Sequence, residues 1–132
     1  MCNQNEWIVR EAFLAYDKGD VARMMKYVHP DLDWMLFEPQ GGAAQPTVRH
    51  GRAELEAALS RQSDLGLRAQ VEEVVAAGEQ VILVTRTPGI GELNGNRTSD
   101  LRYDVVTVRD GLIVGLRACK DRDEARTLVG IG

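Results

Sequence analysis

The chain of 132 residues is 44% hydrophobic and 27% charged, which is typical of one globular domain covering residues 1–132. Its formal net charge of −4 at pH 7 provides no basic surface for a nucleic-acid backbone, so we expect no nucleic-acid partner. No apolar run approaches the roughly 18 residues that a membrane-spanning helix needs, and we expect no membrane partner either.

The cysteine count and the N-terminal charges bear on the cellular compartment. Cys2 and Cys119 are too few for a disulfide framework and indicate reduced thiols. Glu6, Arg10 and Asp17 near the N-terminus exclude the uncharged core of a signal peptide. From these features we expect a cytoplasmic protein.

The N-terminal stretch predicts two helices in close succession. Residues 6–18 place most of their apolar side chains along one helical side, and Gly19 is typical of a left-handed helix end. Asp20 can cap a second helix, which we expect to end at His29 because a residue before proline avoids the helical region.

The middle of the chain alternates between extended and helical patterns. Residues 32–37 predict a strand, residues 41–46 a flexible loop, and residues 52–62 a third helix that Gly51 opens. Strands are then predicted over residues 67–75 and 80–87, followed by a glycine-rich, mobile segment over residues 88–96.

The C-terminal third is organised around a β-hairpin over residues 98–120, which turns at Asp110-Gly111. Alternation places a charged and apolar row on one face and a mainly apolar row on the other. We expect helices to cover one face and a partner subunit to cover the other. The charged and apolar row of the hairpin is Asp100, Arg102, Asp104, Val106 and Val108, and the mainly apolar row is Leu101, Tyr103, Val105 and Thr107.

A short helix over residues 121–128 is predicted after the hairpin.

Residues 15–34, 49–59 and 103–125 resemble the SnoaL-like, ketosteroid-isomerase-like proteins of the nuclear transport factor two-like superfamily. The matching segments are AYDKGDVARMMKYVHPDLDW, RHGRAELEAAL and YDVVTVRDGLIVGLRACKDRDEA. The resemblance implies a cystatin-like α+β fold, in which a curved, mostly antiparallel sheet wraps on three helices and forms a cone with a deep pocket. It also implies frequent dimerisation through the outer sheet face, and Leu101, Tyr103 and Val105 would supply that apolar surface in a homodimer.

Asp104 is the first candidate catalytic residue. It falls where the steroid isomerases of this superfamily place an aspartic acid that donates a hydrogen bond to the developing oxyanion. In the alternative interpretation, Asp104 forms an ion pair with Arg86 or Arg102, which would keep it ionised and remove the donor.

Glu38 is the second candidate catalytic residue, as the general base. Glu38-Pro39 resembles the Asp-Pro pair that holds the base of the isomerases, although counting from His29 aligns that base with Leu36 unless a short insertion is allowed. A carboxylate in an apolar pocket can move protons near neutral pH. The alternative is a solvated glutamate at a strand end.

Two positions depart from the related active sites. The oxyanion tyrosine of the isomerases corresponds to Ala12, and Tyr16 lies one helical turn later. The aspartate that the limonene-type epoxide hydrolases carry in the last strand corresponds to Ala118. Neither active site is intact.

The ligand-binding candidates come mainly from the predicted pocket face. Arg86 and Lys120 are predicted to point inward, where an arginine would select an anionic or carbonyl-bearing ligand, or else neutralise neighbouring carboxylates. His50 lies at the pocket rim or in a turn. Two histidines without a matching cluster predict no metal site and no cofactor. The full ligand-binding set is Tyr16, Trp34, Arg86, Arg102, Val106, Ala118, Lys120 and His50.

The ionisable groups on the predicted pocket face favour a cofactor-independent acid–base enzyme of the isomerase, cyclase or dehydratase type. Its substrate would be a small hydrophobic molecule with a carbonyl group. Two alternatives remain open at this point. One is a non-catalytic protein that binds such a molecule, and the other is a protein-interaction subunit whose pocket is filled by side chains.

Overall fold

The structure is a computed structural model that describes residues 4–40, 43–88 and 100–130, with no side chains described for residues 36–40 and 43–47. It contains four helices and six strands in these ranges. In chain order they are α1 (Gln4–Asp17), α2 (Val21–Met25), β1 (Val28–Gln40), β2 (Ala43–His50), α3 (Arg52–Asp64), β3 (Gln70–Ala77), β4 (Gln80–Arg86), β5 (Leu101–Arg109), β6 (Leu112–Cys119) and α4 (Arg122–Val129).

The six strands form one curved, open sheet with the order β2-β1-β6-β5-β4-β3. The pairings of these strands are antiparallel, apart from the parallel pairing of β1 with β6. The predicted α+β class with a mostly antiparallel sheet is therefore confirmed. None of the described helices is long and apolar enough to cross a membrane.

The predicted hairpin is present as β5 and β6. Asp110 has φ 53° and Gly111 has φ 80°, so both turn residues adopt the left-handed region that a two-residue hairpin turn requires. Asp104 lies opposite Ala118 in β6 and opposite Leu83 in β4, which places it in the middle of the sheet.

The helical pair also forms, but α2 is shorter than predicted. Gly19 ends α1 with φ 80°, and Asp20 accepts a hydrogen bond from Arg23 N at 3.0 Å as the cap of α2. The second helix ends at Met25 rather than at His29, because Ile113 N donates to Tyr27 O at 2.8 Å and begins the pairing of β1 with β6. The register of this pairing shifts after Val28, and a shift of this kind accommodates Pro30 within the strand.

The prediction of a loop over residues 41–46 is wrong for the part that the structure describes. Residues 43–50 form β2, which pairs with β1 so that Asp33 lies opposite His50. Pairing with β1 overrides the loop-like composition, and Pro46 is tolerated because β2 is an edge strand. Of the predicted mobile segment, only Pro88 lies within the described residues.

The helices α1, α2 and α3 pack on one face of the sheet, which we call the inner face. The core there includes six fully buried large side chains. Asp104, Val106 and Val108 lie on this face, as predicted. The fully buried large side chains are Trp34, Tyr16, Met24, Leu32, Leu55 and Leu83.

The opposite face, which we call the outer face, is partly covered by α4. Ala125 of α4 packs against Ile82, Val105 and Cys119, with Tyr103 at the edge of this second cluster. The expectation that a partner subunit alone would cover this face is corrected by this contact. The cap of α4 is Asp121, which accepts from Glu124 N at 2.9 Å.

Candidate functional site

Tyr16 and Asp104 bring two buried oxygen atoms without described hydrogen-bond partners to the inner face. Both residues are only 2% exposed. Within the described residues, Tyr16 Oη and Asp104 Oδ1 have no hydrogen-bond partner. Thr87 Oγ1, directly after β4, is likewise buried and has no hydrogen-bond partner among the described residues. Leaving such a group unpaired costs about 1–3 kcal/mol, so each of these atoms requires an explanation, such as a bound water molecule or a functional role.

The local sequence explains why these side chains point inward. Asp104 alternates with Val105 and therefore faces the helices together with Val106. Tyr16 lies in the last turn of α1, where Gly19 N donates to Tyr16 O at 2.9 Å and ends the helix. The tyrosine is thus held at the junction of α1 with the sheet.

The surroundings of Asp104 disfavour the charged form of its carboxyl group. Burial raises the pKa of Asp104 above its ordinary value of 3.8, and the positive charge of Arg102 only partly opposes this rise. Neither Arg102 nor Arg86 forms an ion pair with it: Arg86 binds Glu72 at 2.8 Å, and Arg102 donates to Gln62. A protonated carboxyl group can donate a hydrogen bond.

Tyr16 is a neutral donor as well. Burial raises the pKa of Tyr16 above 10.0, against the opposing charges of Arg102 and then Arg68. The hydroxyl therefore carries its proton across the physiological range. The positive charge of Arg102 acts on both side chains and partly offsets the rise in the pKa of Tyr16 and of Asp104.

The two arginines at this site differ in their contacts. Arg68 Nη1 donates to Ser63 O, Ser63 Oγ and Leu67 O, each at 3.0 Å. Its guanidinium also lies against Gly19, where an added Cβ would be 3.4 Å from Nη2. Arg68 is therefore fixed at the carboxyl end of α3. Arg102 is half-buried, and its Nη1 donates to Gln62 Oε1 at 3.5 Å, a long contact.

Sequence reasoning missed Arg68, Gln62 and Thr87 as parts of this site. The prediction placed Arg68 inside a strand, whereas β3 begins two residues later at Gln70. The sequence did contain one signal for Arg68. It is a cation shortly after a predicted helix, and such a charge interacts favourably with the carboxyl end of the helix.

Arg86, Lys120 and His50 lie apart from this site. Arg86 alternates with the inner-face residues of β4 and lies on the outer side, where it pairs with Glu72. Its predicted inward orientation is wrong, because Val84 and Ala118 point to opposite faces. Lys120 is exposed beyond the end of β6. His50 is exposed and bonds Asp33 Oδ1 at 2.7 Å.

Trp34, Val106 and Ala118 belong to the inner core. Trp34 Nε1 donates to Gly51 O at 3.1 Å, so its polar atom is already satisfied, and the Arg49 guanidinium lies 6.0 Å from its ring centre. Glu38 pairs with Gln45 through the backbone of β1. The Glu38 side chain lies outside the described part of the structure, so its role as the base stays a prediction.

A concavity of about 540 Å³ lies on the outer face and was not predicted. Its floor includes Gly115, where an added Cβ would approach Thr107 Cβ to 3.3 Å. The sheet separates this groove from Asp104. Its lining consists of Asp33, Trp34, Met35, Val48, Gln80, Val105, Thr107, Gly115, Leu116, Arg117 and Leu128.

The chemistry available on the inner face is hydrogen-bond donation to a developing negative charge. Tyr16 and Asp104 are both buried on this face, burial raises the pKa of each, and the positive charge of Arg102 opposes the rise in both cases. Within residues 4–40, 43–88 and 100–130, no three His, Cys, Asp or Glu side chains are grouped to hold a metal ion.

Comparison with known proteins agrees with this fold. The SnoaL-like domain model matches residues 9–116. No curated protein is detectably similar to the chain. Bal32a, from a soil-derived mobile gene cassette, is 20% identical with 88% of each chain covered and a TM-score of 0.68.

Two further solved structures match this chain over most of their length. An NTF2-like protein of unknown function from Burkholderia pseudomallei is 19% identical, with 97% of this chain and 98% of that chain covered and a TM-score of 0.66. A candidate polyketide cyclase from Sinorhizobium meliloti is 17% identical, with 85% and 93% covered and a TM-score of 0.64. At such identities these structures share the fold alone. Since the domain model spans most of the chain, this protein belongs to the SnoaL-like domain family.

Proposed function

We propose that the protein is an acid–base enzyme for a hydrophobic, carbonyl-bearing small molecule, in which Asp104 and Tyr16 donate hydrogen bonds to the carbonyl oxygen. The observation that supports this proposal most strongly concerns two buried oxygen atoms on the inner face, Tyr16 Oη and Asp104 Oδ1, which have no hydrogen-bond partner among the described residues. Structural cores avoid such groups unless they are used.

The proposed chemistry follows from the charge that develops on the substrate. When a proton leaves the carbon next to a carbonyl group, negative charge builds on the carbonyl oxygen. Neutral donors that are already oriented in a dry site stabilise this charge more than they stabilise the ground state. Removing one donor of this kind typically costs about 2.7–4 kcal/mol of transition-state stabilisation.

The reaction also needs a base, which Asp104 cannot be while it carries its proton. Glu38 remains our proposed base. Isomerases, cyclases and dehydratases of carbonyl compounds share an enolate-like intermediate, and one donor pair serves all three reaction types. The candidate polyketide cyclase among the similar structures supports a substrate of this class.

A non-catalytic binding protein is the second candidate function. Among the described side chains, Asp104 is the only carboxyl group buried in the core, so the inner face shows a donor pair but no second carboxylate to act as base. A carrier or sensor of a carbonyl compound or a phenol needs the donors alone.

Binding of 2-naphthol tests the donor pair, because its oxygen imitates an enolate. We expect binding to wild type, and a Kd about 10- to 100-fold higher for Tyr16→Phe, which removes a donor. For Asp104→Asn we expect a smaller rise in Kd, because the amide that replaces the carboxylic acid is a weaker donor. Tyr103→Phe is the matched control for the first variant, because Tyr103 packs with the outer-face cluster. Asp33→Asn is the control for the second, because Asp33 is exposed.

Calorimetric titration of these five proteins decides the proposal. No binding to wild type, or equal Kd values for Tyr16→Phe and Tyr103→Phe and for the two Asp→Asn variants, would overturn it. Proton exchange at the carbon next to the carbonyl group of a model ketone, followed by NMR in heavy water, separates the enzyme from the binding protein. Exchange that Glu38→Gln abolishes supports catalysis.

A further inference from the structure

We infer that the ligand of the inner-face site carries a carboxylate group, which Arg102 binds through its guanidinium. This inference rests on the proposed function, because it concerns the same site and specifies the class of its substrate. It is carried by the position, burial and unmatched charge of Arg102.

Arg102 has no carboxylate partner among the described residues, whereas three other arginines do. Arg86, Arg109 and Arg122 each contact a glutamate, at 2.8, 3.2 and 2.8 Å. Arg102 instead has one contact of 3.5 Å to the neutral amide of Gln62. A guanidinium carries five N–H donors, so most of its bonding capacity remains available.

The position of Arg102 places this capacity beside the donor pair. It precedes Asp104 by two residues on β5 and therefore lies on the same, inner face. Opposite it in β4 lies Thr85, which is buried. Arg102 is itself half-buried, and removing a cation from water without a counter-ion is unfavourable. A ligand anion would offset that cost.

Asp104 does not provide the missing negative charge. Its side chain forms no ion pair with Arg102, and burial favours its protonated form. The protein's own arrangement thus places a buried carboxyl group and a cation two residues apart on one face of β5. This pairing suits a ligand that presents an oxygen acceptor to Asp104 and an anion to Arg102.

The charge of the site favours a carboxylate over a phosphate. Arg68 is the other cation nearby, but the carbonyl oxygen atoms of Ser63 and Leu67 already occupy its Nη1. One available guanidinium matches one negative charge, and its planar fork fits the two oxygen atoms of a carboxylate. A phosphate dianion would require a second cation.

The test compares two ligands that differ only by the anion: 2-naphthol and 6-hydroxy-2-naphthoate. We expect wild type to bind 6-hydroxy-2-naphthoate at least about tenfold more tightly, and this preference to weaken as salt is added. Arg102→Gln should remove the preference while 2-naphthol retains its Kd within about twofold. Arg102→Lys should give an intermediate preference, because it keeps the charge and loses the fork.

Arg109→Gln is the matched control, since Arg109 is an exposed arginine at the other end of β5. It should leave both Kd values unchanged. Melting temperatures of all variants verify that they are folded, and the salt dependence of wild type serves as a readout that needs no variant.

The outcomes separate this inference from the function on which it rests. If both ligands bind wild type with equal Kd, the donor pair stands and the carboxylate anchor is wrong. The same conclusion follows if Arg102→Gln weakens both ligands equally. If neither ligand binds, both proposals fail.

Discussion

Arg102 and Asp104 lie two residues apart on the same face of β5, yet they form no ion pair. The guanidinium of Arg102 donates to Gln62, and Asp104 Oδ1 remains without a described partner. Arg102 therefore does not neutralise Asp104 through an ion pair, and burial raises the pKa of the carboxyl group. This arrangement underlies both the proposed donor role of Asp104 and the proposed anchor role of Arg102.

Asp104→Asn should raise the melting temperature at neutral pH. Because burial raises the pKa of Asp104 in the folded state, the folded chain binds this proton more tightly than the unfolded chain does. Below pH 3.8 both states hold the proton and the group has no effect. As pH rises above 3.8, the unfolded chain releases its proton first and the wild-type free energy of unfolding falls.

Asparagine cannot ionise, so the advantage of the variant should appear above pH 3.8 and vanish below it. Thermal melts of wild type and Asp104→Asn across this range measure the difference. A loss of roughly 3–5 kcal/mol at neutral pH would instead indicate a broken buried ion pair and would contradict the structure.

Tyr16→Phe should leave the protein as stable as wild type or increase the free energy of unfolding. The Tyr16 hydroxyl is buried without a described partner, and removing such a group relieves a cost of about 1–3 kcal/mol. Urea unfolding of Tyr16→Phe, with Tyr103→Phe alongside, provides the measurement. A destabilisation of Tyr16→Phe by 1 kcal/mol or more would show that the hydroxyl is bonded in the folded protein.

The thiol of Cys119 should react slowly in the folded protein. Burial under α4, followed by the negative charge of Glu124, raises the pKa of Cys119 to about 11. We expect a Cys2→Ser variant to react with a disulfide reagent at pH 8 about 100-fold more slowly than a free thiol. Ala125→Glu, which disrupts the packing of α4 on the sheet, should accelerate the reaction. A fast reaction of the Cys2→Ser protein would mean that α4 does not cover Cys119.

We also propose that the protein is a homodimer through the outer face that α4 leaves open. Val48 on β2 is 78% exposed there, and Met35, Val48 and Leu128 line the outer groove. Sedimentation at micromolar concentration should give twice the monomer mass of 14.6 kDa. Val48→Glu should shift the protein towards monomer, while a monomeric wild type would refute the proposal.

Local patterns predicted most of the fold. The Asp110-Gly111 turn, the Gly19 helix end and the Asp20 cap each depend on a few adjacent residues, and each is present. Strand alternation likewise placed Asp104 on the same face as Val106. These features can be predicted from the sequence because the physical cause of each lies within one helix, strand or turn.

Features that depend on pairing between strands far apart in the sequence could not be predicted. The strand β2 replaces a predicted loop because its backbone pairs with β1. The prediction that Arg86 points to the inner face failed. Which side chains of β4 share a face with those of β6 depends on how both strands pair with β5. The sequence named Tyr16 and Asp104 separately, but their shared burial on the inner face arises only when α1 packs on the sheet.

The protonation state of Asp104 is the most direct test of the proposed mechanism. A carbon-13 NMR titration of the aspartate carboxyl groups, with Asp104→Asn used to assign the signal, measures the pKa of this side chain in the folded protein. The mechanism predicts that Asp104 still carries its proton at pH 7, with the chemical shift of a carboxylic acid. A signal that titrates near the ordinary value of 3.8 would show an ionised aspartate and contradict the donor role.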